Sequence, residues 1–462
     1  MNDILDVIIV GAGSAGLGAL REVRRSTENF IIINEGPWGT MCARVGCMPS
    51  KALIEAAHAF HRRRQFVEFG IRGGELLRVD LEAVLARVRH IRDAMVEETL
   101  ELTRALGDRA ISGRARLVGS DAVAVNGVTR RARRIILATG SRPVVPDAWK
   151  PLTSRLLTTD TLFEQQTLPA RMAVLGLGGV GAELAQALSR LGVHVTAVND
   201  KATLFGLTDA KVNAVVLEAL RRDVTVHLGH QAQLSADGEG VRVQAGAEAF
   251  VVDQVLVALG RRRNLDALGL EALGVPLDEH GRPAVDGATM QIGALPIFLA
   301  GDANGDLPLQ HEAADEGHMA GINAGAGPVQ RFQRRTPMAV VFCDPNVARV
   351  GQPFSELDPA KIWVGEGDFA TQGRARLMLD NVGIVRVYAA RDDGTLLGAE
   401  LCAPDGEHRA HGLALAIERR STVAELLRAP FYHPSLEEGL RTALRQVSKE
   451  MLGADRFELA TL

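Results

Sequence analysis

Residues 7–16 have the sequence VIIVGAGSAG, an apolar run that leads directly into a glycine-rich turn. Four β-branched residues in succession predict a buried strand, and the run after Gly16 predicts a helix. In a G-x-G-x-x-G turn the backbone can approach a pyrophosphate, and the N-terminus of the following helix favours its negative charge. We therefore predict a β-α-β unit that binds a dinucleotide through Gly11, Gly13 and Gly16. A tight turn without a ligand is the alternative.

A second copy of this pattern lies at residues 172–181, which have the sequence MAVLGLGGVG. Both copies stand between an apolar strand and a helical run. Both units also close on strands with similar endings, IILATG at residues 135–140 and VLVALG at residues 255–260. Two such units in one chain predict two dinucleotides bound face to face.

The residue at the end of the second strand of each unit indicates which ribose is bound. Glu35 ends the strand at residues 30–33 and can accept a hydrogen bond from a ribose hydroxyl. In the second unit the corresponding position is Asn199 or Asp200, and only Lys201 is basic nearby. A 2′-phosphate would favour an arginine, so we expect NAD rather than NADP.

Proline positions and shifts in composition divide the chain into four segments. Residues 1–142 and 143–265 hold the two dinucleotide units. Residues 266–336 include the strand IFLAGD at residues 297–302, which we expect to return to the first unit. Residues 337–462 alternate strands and helices as a separate domain. The predicted fold class is α/β, with two Rossmann-like domains followed by a C-terminal α+β domain.

The bulk properties of the chain exclude several classes of function. Its 462 residues are too many for one core, and its formal net charge of −4 gives no reason to expect nucleic acid or an anionic membrane as a partner. No apolar stretch reaches the ~18–20 residues that a membrane helix needs, and no basic region precedes the first strand. Four cysteines are too few for a disulfide scaffold and fit a reducing compartment, so we expect the cytoplasm.

Residues 39–51 have the sequence GTMCARVGCMPSK and contain Cys42 and Cys47. Two cysteines five apart at the start of a helix can approach within bonding distance, and the helix N-terminus stabilises a thiolate. The pattern favours a reversible disulfide near the first glycine loop, and we expect no bound metal. The alternatives are a zinc site that adds His58 and His61, and inert buried thiols.

Residues 431–438 have the sequence FYHPSLEE, which places His433 before a predicted helix and Glu438 one turn into it. A histidine oriented by a carboxylate is a general base near neutral pH. The alternative is a helix-capping loop with a surface histidine. We assign His433 a functional role because the chain also carries the cysteine pair.

These motifs resemble those of the class I pyridine nucleotide–disulfide oxidoreductases over essentially the whole chain. The most specific matches are VGCMPSK at residues 45–51 and His433-Pro434 followed by Glu438. Within the family the chain is most similar to the dihydrolipoamide dehydrogenases and their near relatives. The resemblance implies a homodimer that carries FAD and NAD, with domains in the order FAD, NAD, return to FAD, and interface (dimerisation).

The resemblance also implies roles for the matching residues. Cys42 would exchange with the substrate sulfur, and Cys47 would lie against the flavin. Lys51 would pair with Glu183 near the flavin, and His433 would reach the site from the other subunit. The implied catalytic residues are Cys42, Cys47, Lys51, Glu183, His433 and Glu438. The implied FAD-binding residues are Gly11, Gly13, Gly16, Glu35, Thr40, Lys51, Ala115, Thr139, Gly140, Asp302, Gln310 and Ala313. The implied NAD-binding residues are Gly176, Gly178, Gly181, Glu183, Asn199, Asp200 and Gly260.

The expected activity is oxidation of dihydrolipoamide, carried on a protein or free, with reduction of NAD+ through a Cys42–Cys47 disulfide and FAD. One alternative is NAD(P)H-dependent reduction of a small disulfide, and another is a flavoprotein of this fold without thiol turnover. Mercuric reduction is not expected, because residues 458–462, ELATL, contain no cysteine pair. The chain departs from family usage with Gly39-Thr40-Met41 for Gly-Gly-Thr, Cys343-Asp344-Pro345 for Thr-x-Pro, and Phe431-Tyr432 for His-Ala.

Overall fold

The computed structural model describes residues 4–453. Residues 458–462, on which the expectation about mercuric reduction rests, lie outside the described residues. Within the described span, no helix is long and apolar enough to cross a membrane. The strands of this span form five sheets, which are flanked by helices.

The first glycine loop belongs to a sheet with a parallel centre. The elements up to residue 143 are β1 Leu5–Val10, α1 Ser14–Ser26, β2 Phe30–Asn34, α2 Met41–Val45, α3 Cys47–His61, α4 Leu81–Arg104, β3 Ala110–Ser112, β4 Arg116–Gly119, β5 Ala122–Val125, β6 Val128–Leu137 and β7 Ser141–Pro143. The strand order is β3-β2-β1-β6-β5-β4, and β1 pairs in parallel with both β2 and β6. The last four residues of β1 are buried, so the predicted buried strand leads into the glycine turn.

The second glycine loop belongs to a second parallel sheet. Its region comprises β8 Leu156–Leu157, α5 Thr159–Leu162, β9 Arg171–Leu175, α6 Gly179–Arg190, β10 His194–Asn199, α7 Ala210–Arg221, β11 Thr225–Leu228, β12 Ala232–Asp237, β13 Gly240–Ala245, β14 Glu248–Val252, β15 Gln254–Val257 and β16 Arg261–Arg263. The order of the parallel sheet is β11-β10-β9-β15-β8, and β12, β13 and β14 form a separate antiparallel sheet. The central strand β9 holds the same position as β1 in the first unit.

The chain crosses between the two units twice, and the crossings meet. β7 pairs antiparallel with β16, so the outgoing and returning segments form one two-stranded ladder. The returning segment contributes β17 Ile297–Leu299, which pairs in parallel with β6, and α8 Gln310–Ala324. α8 crosses α1 closely, because a Cβ at Gly317 would lie 2.1 Å from the Ala15 carbonyl oxygen. The returning strand therefore completes the first sheet.

The C-terminal region forms an antiparallel sheet covered by helices. Its elements are β18 Met338–Val341, β19 Asn346–Gly351, β20 Ile362–Asp368, α9 Gly373–Met378, β21 Ile384–Ala390, β22 Leu396–Ala403, α10 Gly406–Glu418, α11 Val423–Arg428 and α12 Glu438–Leu452. The strand order is β18-β19-β22-β21-β20. With this sheet, the predicted α/β fold with two dinucleotide-type units and a C-terminal α+β domain is confirmed.

The helix that begins at Cys47 packs between the two dinucleotide units. Leu53 on α3 and Leu184 on α6 are fully buried in one continuous core. Burial of a leucine side chain stabilises such a contact by roughly 1.5–3 kcal/mol. The core fixes α3 against α6 and so brings the cysteine pair next to both glycine loops.

Candidate active site

The third glycine of each loop is required by packing. A Cβ at Gly16 would lie 1.9 Å from the Gly11 carbonyl oxygen, and a Cβ at Gly181 would lie 1.9 Å from the Gly176 carbonyl oxygen. Any side chain at these two positions would push the helix away from its loop. Gly16 and Gly181 therefore serve the contact between helix and turn, which the G-x-G-x-x-G pattern assigns to its third glycine.

The middle glycine of each loop is not required by the protein itself. Gly13 and Gly178 have ordinary negative φ angles of −80° and −69°. A Cβ at either position would meet nothing within 4 Å. Neither backbone strain nor packing explains these glycines, so each leaves open space above the N-terminus of a helix, where a pyrophosphate is stabilised.

The residue at the end of the second strand of the second unit, Asn199, has a structural role. Asn199 is buried, and its Oδ1 accepts a hydrogen bond from the Leu177 N–H at 2.9 Å. In the first unit Asn34 does the same for the Ala12 N–H at 3.1 Å. Asn199 is therefore the counterpart of Asn34 and supports its own glycine loop, which corrects the expectation that it binds a ribose.

The exposed residue that follows each asparagine is acidic in both units. Glu35 follows Asn34, and Asp200 follows Asn199. Both carboxylates stand at the end of the second strand of a unit, where a ribose hydroxyl is bound in proteins of this fold class. Of the two candidates that the sequence leaves open, Asn199 is buried in its own loop and Asp200 is exposed.

Two cavities flank the first glycine loop. The cysteine cavity has a volume of about 220 Å³. The predicted residues that line it are Gly13, Cys42, Cys47, Lys51, Gly140, Glu183, Asp302, Gln310 and Ala313. The strand-end cavity has a volume of about 470 Å³. The predicted residues that line it are Gly11, Glu35, Ala115 and Thr139.

The two cavities fit the two ends of an extended dinucleotide. The hydroxyl of Thr139, in the strand-end cavity, is a buried polar atom with no hydrogen-bond partner among the described residues. A buried hydroxyl without a partner is costly, so a ligand that supplies one is favoured. Together with the open space at Gly13, this arrangement fits FAD with its ring system in the cysteine cavity.

Besides Gly16, which serves the packing of helix against turn, a second residue of the predicted FAD set has a different role in the structure. Thr40 lines neither of these two cavities. Its Oγ1 caps α2 by accepting a hydrogen bond from the Ala43 N–H at 3.1 Å. Within residues 39–41, the threonine thus holds a helix-capping position and Met41 lies in the wall of the cysteine cavity.

The two cysteines are free thiols in contact, and their environments differ. A hydrogen bond from Cys42 lowers the pKa of Cys47 to about 7, with a further contribution from the positive charge of Lys51. The same hydrogen bond raises the pKa of Cys42, since Cys42 must keep its proton to donate it. Cys47 is therefore the thiolate of the pair.

The second glycine motif contributes a carboxylate to the cysteine cavity. Lys51 Nζ donates a hydrogen bond to Glu183 Oε2 at 2.8 Å, and the Glu183 side chain is only 6% exposed. The other oxygen of Glu183 accepts from the Phe342 N–H at 2.8 Å. The Lys51 ammonium also lies 4.6 Å from the centre of the Phe342 ring. The lysine is thus held in one place, beside both sulfurs.

A polar chain that the sequence did not reveal borders the cysteine cavity, and its two ends, Arg261 and Asp302, line that cavity. Arg261 donates to the Ser141 hydroxyl at 2.8 Å, and that hydroxyl donates to Asp302 Oδ2 at 2.6 Å. Arg261 also contacts the Met41 sulfur at 2.6 Å. Arg261 lies in a run of three arginines just after Gly260, a signal that motif analysis alone does not separate from a surface charge cluster.

His433 and Glu438 form the pair that the sequence predicts. His433 Nδ1 lies 3.1 Å from each carboxylate oxygen of Glu438. Glu438 is the first residue of α12 rather than one turn into the helix, and it also accepts from the Ser435 N–H at 3.2 Å. The hydrogen bond from His433 lowers the pKa of Glu438. A carboxylate on Nδ1 leaves Nε2 of the ring available for a proton.

This pair does not belong to the cysteine cavity of its own chain. The His433 side chain is 81% exposed. Of the described residues that line the cysteine cavity, none lies beyond Ala313. His433 is therefore oriented by a carboxylate and exposed to solvent, and it does not line the cysteine cavity of its own chain.

The remaining cysteines are inert in character. Cys343 and Cys402 are buried, and burial raises the pKa of both thiols, that of Cys402 to about 12. Within residues 4–453 no three His, Cys, Asp or Glu side chains come together as a metal site. The candidate chemistry is therefore concentrated in the Cys42–Cys47 pair.

We expect Gly13→Ala to weaken the retention of FAD by roughly tenfold or more, because the new methyl group would occupy space that the pyrophosphate needs. The fold should persist, since the methyl group meets nothing within 4 Å in the protein. Flavin absorbance per protein after gel filtration, together with the melting temperature of the apoprotein, measures both effects. Gly412→Ala, whose Cβ also meets nothing within 4 Å, is the matched control. Full flavin content in Gly13→Ala would contradict the assignment.

Comparisons with known proteins agree with this geometry. The family described as pyridine nucleotide-disulphide oxidoreductase matches residues 5–317, and the dimerisation domain of the same family matches residues 337–444. A dihydrolipoyl dehydrogenase from Thermus scotoductus is 31% identical to the chain, over 97% of the chain and 98% of that enzyme. A mercuric reductase from Acidithiobacillus ferrooxidans is 32% identical, over 97% of the chain and 83% of that enzyme.

Solved structures give the same overall likeness. LpdA from Mycobacterium tuberculosis has a TM-score of 0.83 at 27% identity and covers 95% of the chain and 99% of its own length. The HOCl-induced flavoprotein disulfide reductase RclA from Escherichia coli, as a Cu(II) complex, also has a TM-score of 0.83 and covers 96% of the chain and 99% of its own. Its sequence identity is 22%, so this likeness concerns the fold alone.

Proposed function

The chain belongs to the pyridine nucleotide-disulphide oxidoreductase family, and from this premise we propose that it oxidises a dihydrolipoyl dithiol with NAD+. It is a flavoprotein disulfide oxidoreductase close to lipoamide dehydrogenase, and its cofactors are FAD and NAD(H). The substrate is a dihydrolipoyl group on a carrier protein, or dihydrolipoamide itself.

The inequality of the two cysteines carries the proposal. Cys42 lines the cysteine cavity and also a larger cavity on the outer side of α1, whereas Cys47 lines the cysteine cavity and not this larger one. A dithiol that enters from outside therefore meets Cys42. Cys47, with its pKa lowered to about 7 beside Lys51, holds negative charge where FAD would place its ring system.

The reaction is a dithiol–disulfide exchange followed by electron transfer. One thiolate of the substrate attacks the Cys42 sulfur of the oxidised pair, and the bond to Cys47 breaks. The second substrate thiol then displaces Cys42, which leaves a substrate disulfide and two reduced cysteines. FAD, held at Gly13 and in the cysteine cavity, would supply the two-electron acceptor for the cysteine pair and the hydride donor for NAD+. The overall products are the cyclic disulfide, NADH and one proton.

The proton of the substrate thiol is assigned to His433 of the partner subunit. Nδ1 of that ring is held by Glu438, so Nε2 can take a proton from the attacking thiol. The high exposure of His433 and the match of residues 337–444 to a dimerisation domain support a homodimer in which each subunit completes the other site. Glu438 fixes the orientation of the ring.

The second glycine unit is proposed to bind NAD through Gly178 and Asp200. Gly178 leaves open space at the start of α6, and Asp200 is exposed at the end of β10. Glu183 on α6 points into the cysteine cavity beside Lys51, so this helix links the two cofactor sites. Four cysteines, two of them buried, support a reducing compartment, and we propose the cytoplasm.

Sequence identity alone does not indicate the substrate, because mercuric reductases are as similar to the chain as dihydrolipoyl dehydrogenases are. Steady-state turnover decides it. We expect NADH formation with dihydrolipoamide and NAD+, a lower kcat/KM with NADP+, and no comparable rate for oxidised glutathione or Hg(II) with NADH or NADPH. A faster NAD(P)H-dependent reaction with either of these last two would overturn the proposal.

A further inference from the structure

One arginine of the C-terminal domain is buried without a hydrogen-bond partner. Arg409 lies on α10, and its side chain is only 1% exposed. Among the residues that the structure describes, no group forms a hydrogen bond with Nε, Nη1 or Nη2 of this arginine. Burial therefore lowers the pKa of the guanidinium. A buried cation without hydrogen bonds is costly, whereas an apolar side chain of similar length would be neutral or stabilising.

The surroundings of Arg409 place one carboxylate within ion-pair distance. Nη1 of the arginine lies 3.6 Å from Glu437 Oε1, and the Glu437 side chain is half exposed. The guanidinium carbon lies 5.2 Å from the centre of the Phe369 ring. The other charge that acts on Arg409 is that of Asp405, just before α10. Glu437 is therefore the carboxylate that this arginine holds.

Glu437 directly precedes Glu438, so the segment from His433 to Glu438 offers the histidine two adjacent carboxylates. Of the two, Glu438 contacts the ring, with both oxygens 3.1 Å from Nδ1. The charged side chains that act on Glu438 are those of His433 and Arg441. Glu437 is instead directed to Arg409. The position of the arginine thus decides which carboxylate is left for the histidine.

Packing alone does not account for an arginine at this position. The Phe369 ring beside it packs against the first turn of α12, because a Cβ at Gly439 would lie 2.7 Å from Phe369 Cζ. An apolar side chain would fill the space next to this ring without bringing a charge into the core. A residue that costs stability and lies beside a reactive pair indicates a functional role.

We propose that Arg409 is a positioning residue, which holds Glu437 at the start of α12 so that Glu438 alone orients His433. The inference rests on the proposed function, in which His433 is the base of the neighbouring subunit's site. Without the arginine, the Glu437 carboxylate is free to approach the same imidazole. A second carboxylate beside the ring favours its protonated form, and a protonated ring cannot accept the proton of the substrate thiol.

Four variants of the FAD-loaded dimer test the inference. Arg409→Met removes the charge and keeps the length, Arg409→Lys keeps the charge, and Arg409→Met/Glu437→Gln removes both charges. Arg419→Met, exposed at the end of α10, is the matched control. One measurement is the pH profile of kcat/KM for dihydrolipoamide. The other is the rate at which diethyl pyrocarbonate modifies His433, followed by peptide mass mapping against pH, which reports the free imidazole without any turnover.

We expect the midpoint of the acid limb to rise by about 0.5–1 pH unit in Arg409→Met, in both measurements. This corresponds to a loss of kcat/KM of about three- to tenfold on the acid side of the profile. Arg409→Lys should stay near the wild-type midpoint because the positive charge remains. The double variant should return to it because the competing carboxylate is gone. The control should not move it.

Melting temperatures provide a second signature of the same pair. Arg409→Met should not lower the melting temperature of the dimer, because the half-exposed Glu437 can turn to water once the cation is removed. Glu437→Gln should lower it, because the buried guanidinium then has no ion pair. A melting temperature of Arg409→Met well below that of the wild type would show that the arginine serves stability, and would overturn the inference.

The remaining outcomes separate the two proposals. Unchanged midpoints in Arg409→Met would overturn the role of Arg409 while leaving lipoyl turnover in place. A raised midpoint that persists in Arg409→Met/Glu437→Gln would overturn it as well, because the effect would not pass through Glu437. Absence of wild-type turnover with dihydrolipoamide would overturn the proposed function, and the modification of His433 would still decide the role of Arg409.

Discussion

Cys47→Ser is expected to reduce dihydrolipoamide:NAD+ turnover by at least roughly 10³-fold and to remove the long-wavelength absorbance of the two-electron-reduced enzyme. Cys42→Ser should lose as much turnover but keep that absorbance, because the thiolate that faces the flavin is still present. The reason is that the two sulfurs have different surroundings: both line the cysteine cavity, but only Cys42 of the two also lines the larger cavity on the outer side of α1. Stopped-flow spectra with dihydrolipoamide, and with NADH from the other direction, measure both properties.

The control for these variants is Cys402→Ala. Cys402 is 1% exposed and lines neither cavity, so its loss should leave the spectrum and the turnover largely intact. If Cys42→Ser and Cys47→Ser gave identical spectra, or if the long-wavelength band survived in Cys47→Ser, the assignment of unequal roles would be wrong.

His433→Gln is expected to lower kcat/KM for dihydrolipoamide by about 10²–10⁴-fold, the usual contribution of a general base. Glu438→Gln should cost less, because it removes the charge that orients Nδ1 and leaves the imidazole in place. Oxidation of NADH by a flavin-directed acceptor should be unaffected in both variants, since neither residue lines the cysteine cavity. His408→Gln, at another exposed histidine of the C-terminal domain, is the matched control.

Hybrid dimers test whether the histidine acts across the interface. A refolded equal mixture of Cys42→Ser and His433→Gln chains should regain about a quarter of wild-type turnover, since half of the dimers are hybrids and each hybrid has one complete site. Each variant alone should stay inactive. A mixture that remains inactive, with hybrid dimers verified by mass, would place the histidine in its own subunit or outside the reaction.

The sequence predicts the architecture well because the decisive patterns are local. A buried strand, a G-x-G-x-x-G turn and a helix follow one another within residues 7–26, and the same order recurs from residue 171. The pairing of Lys51 with Glu183 is predicted only by the family resemblance, because the two residues lie on separate helices, α3 and α6, far apart in the sequence. Their contact depends on how the two units pack.

Three features of the site depend on geometry that no local pattern carries. Asn199 turns inward to support its glycine loop, which leaves the acidic position to Asp200, and this orientation is visible only beside its counterpart Asn34. Thr40 caps a helix instead of lining either dinucleotide cavity. The chain from Arg261 through Ser141 to Asp302 joins three distant segments at the crossing of the two units.

The central claim is that Cys47 is the thiolate of a redox pair beside the flavin, and its titration tests this most directly. The enzyme is reduced anaerobically with one equivalent of dihydrolipoamide, and the long-wavelength absorbance is recorded from pH 5.5 to 9.5. Because the pKa of Cys47 is lowered to about 7, the absorbance should be strong at high pH and fall to half near pH 7 as the thiolate is protonated. An absorbance that titrates near the ordinary thiol value of about 8.5, or that never forms, would contradict the account.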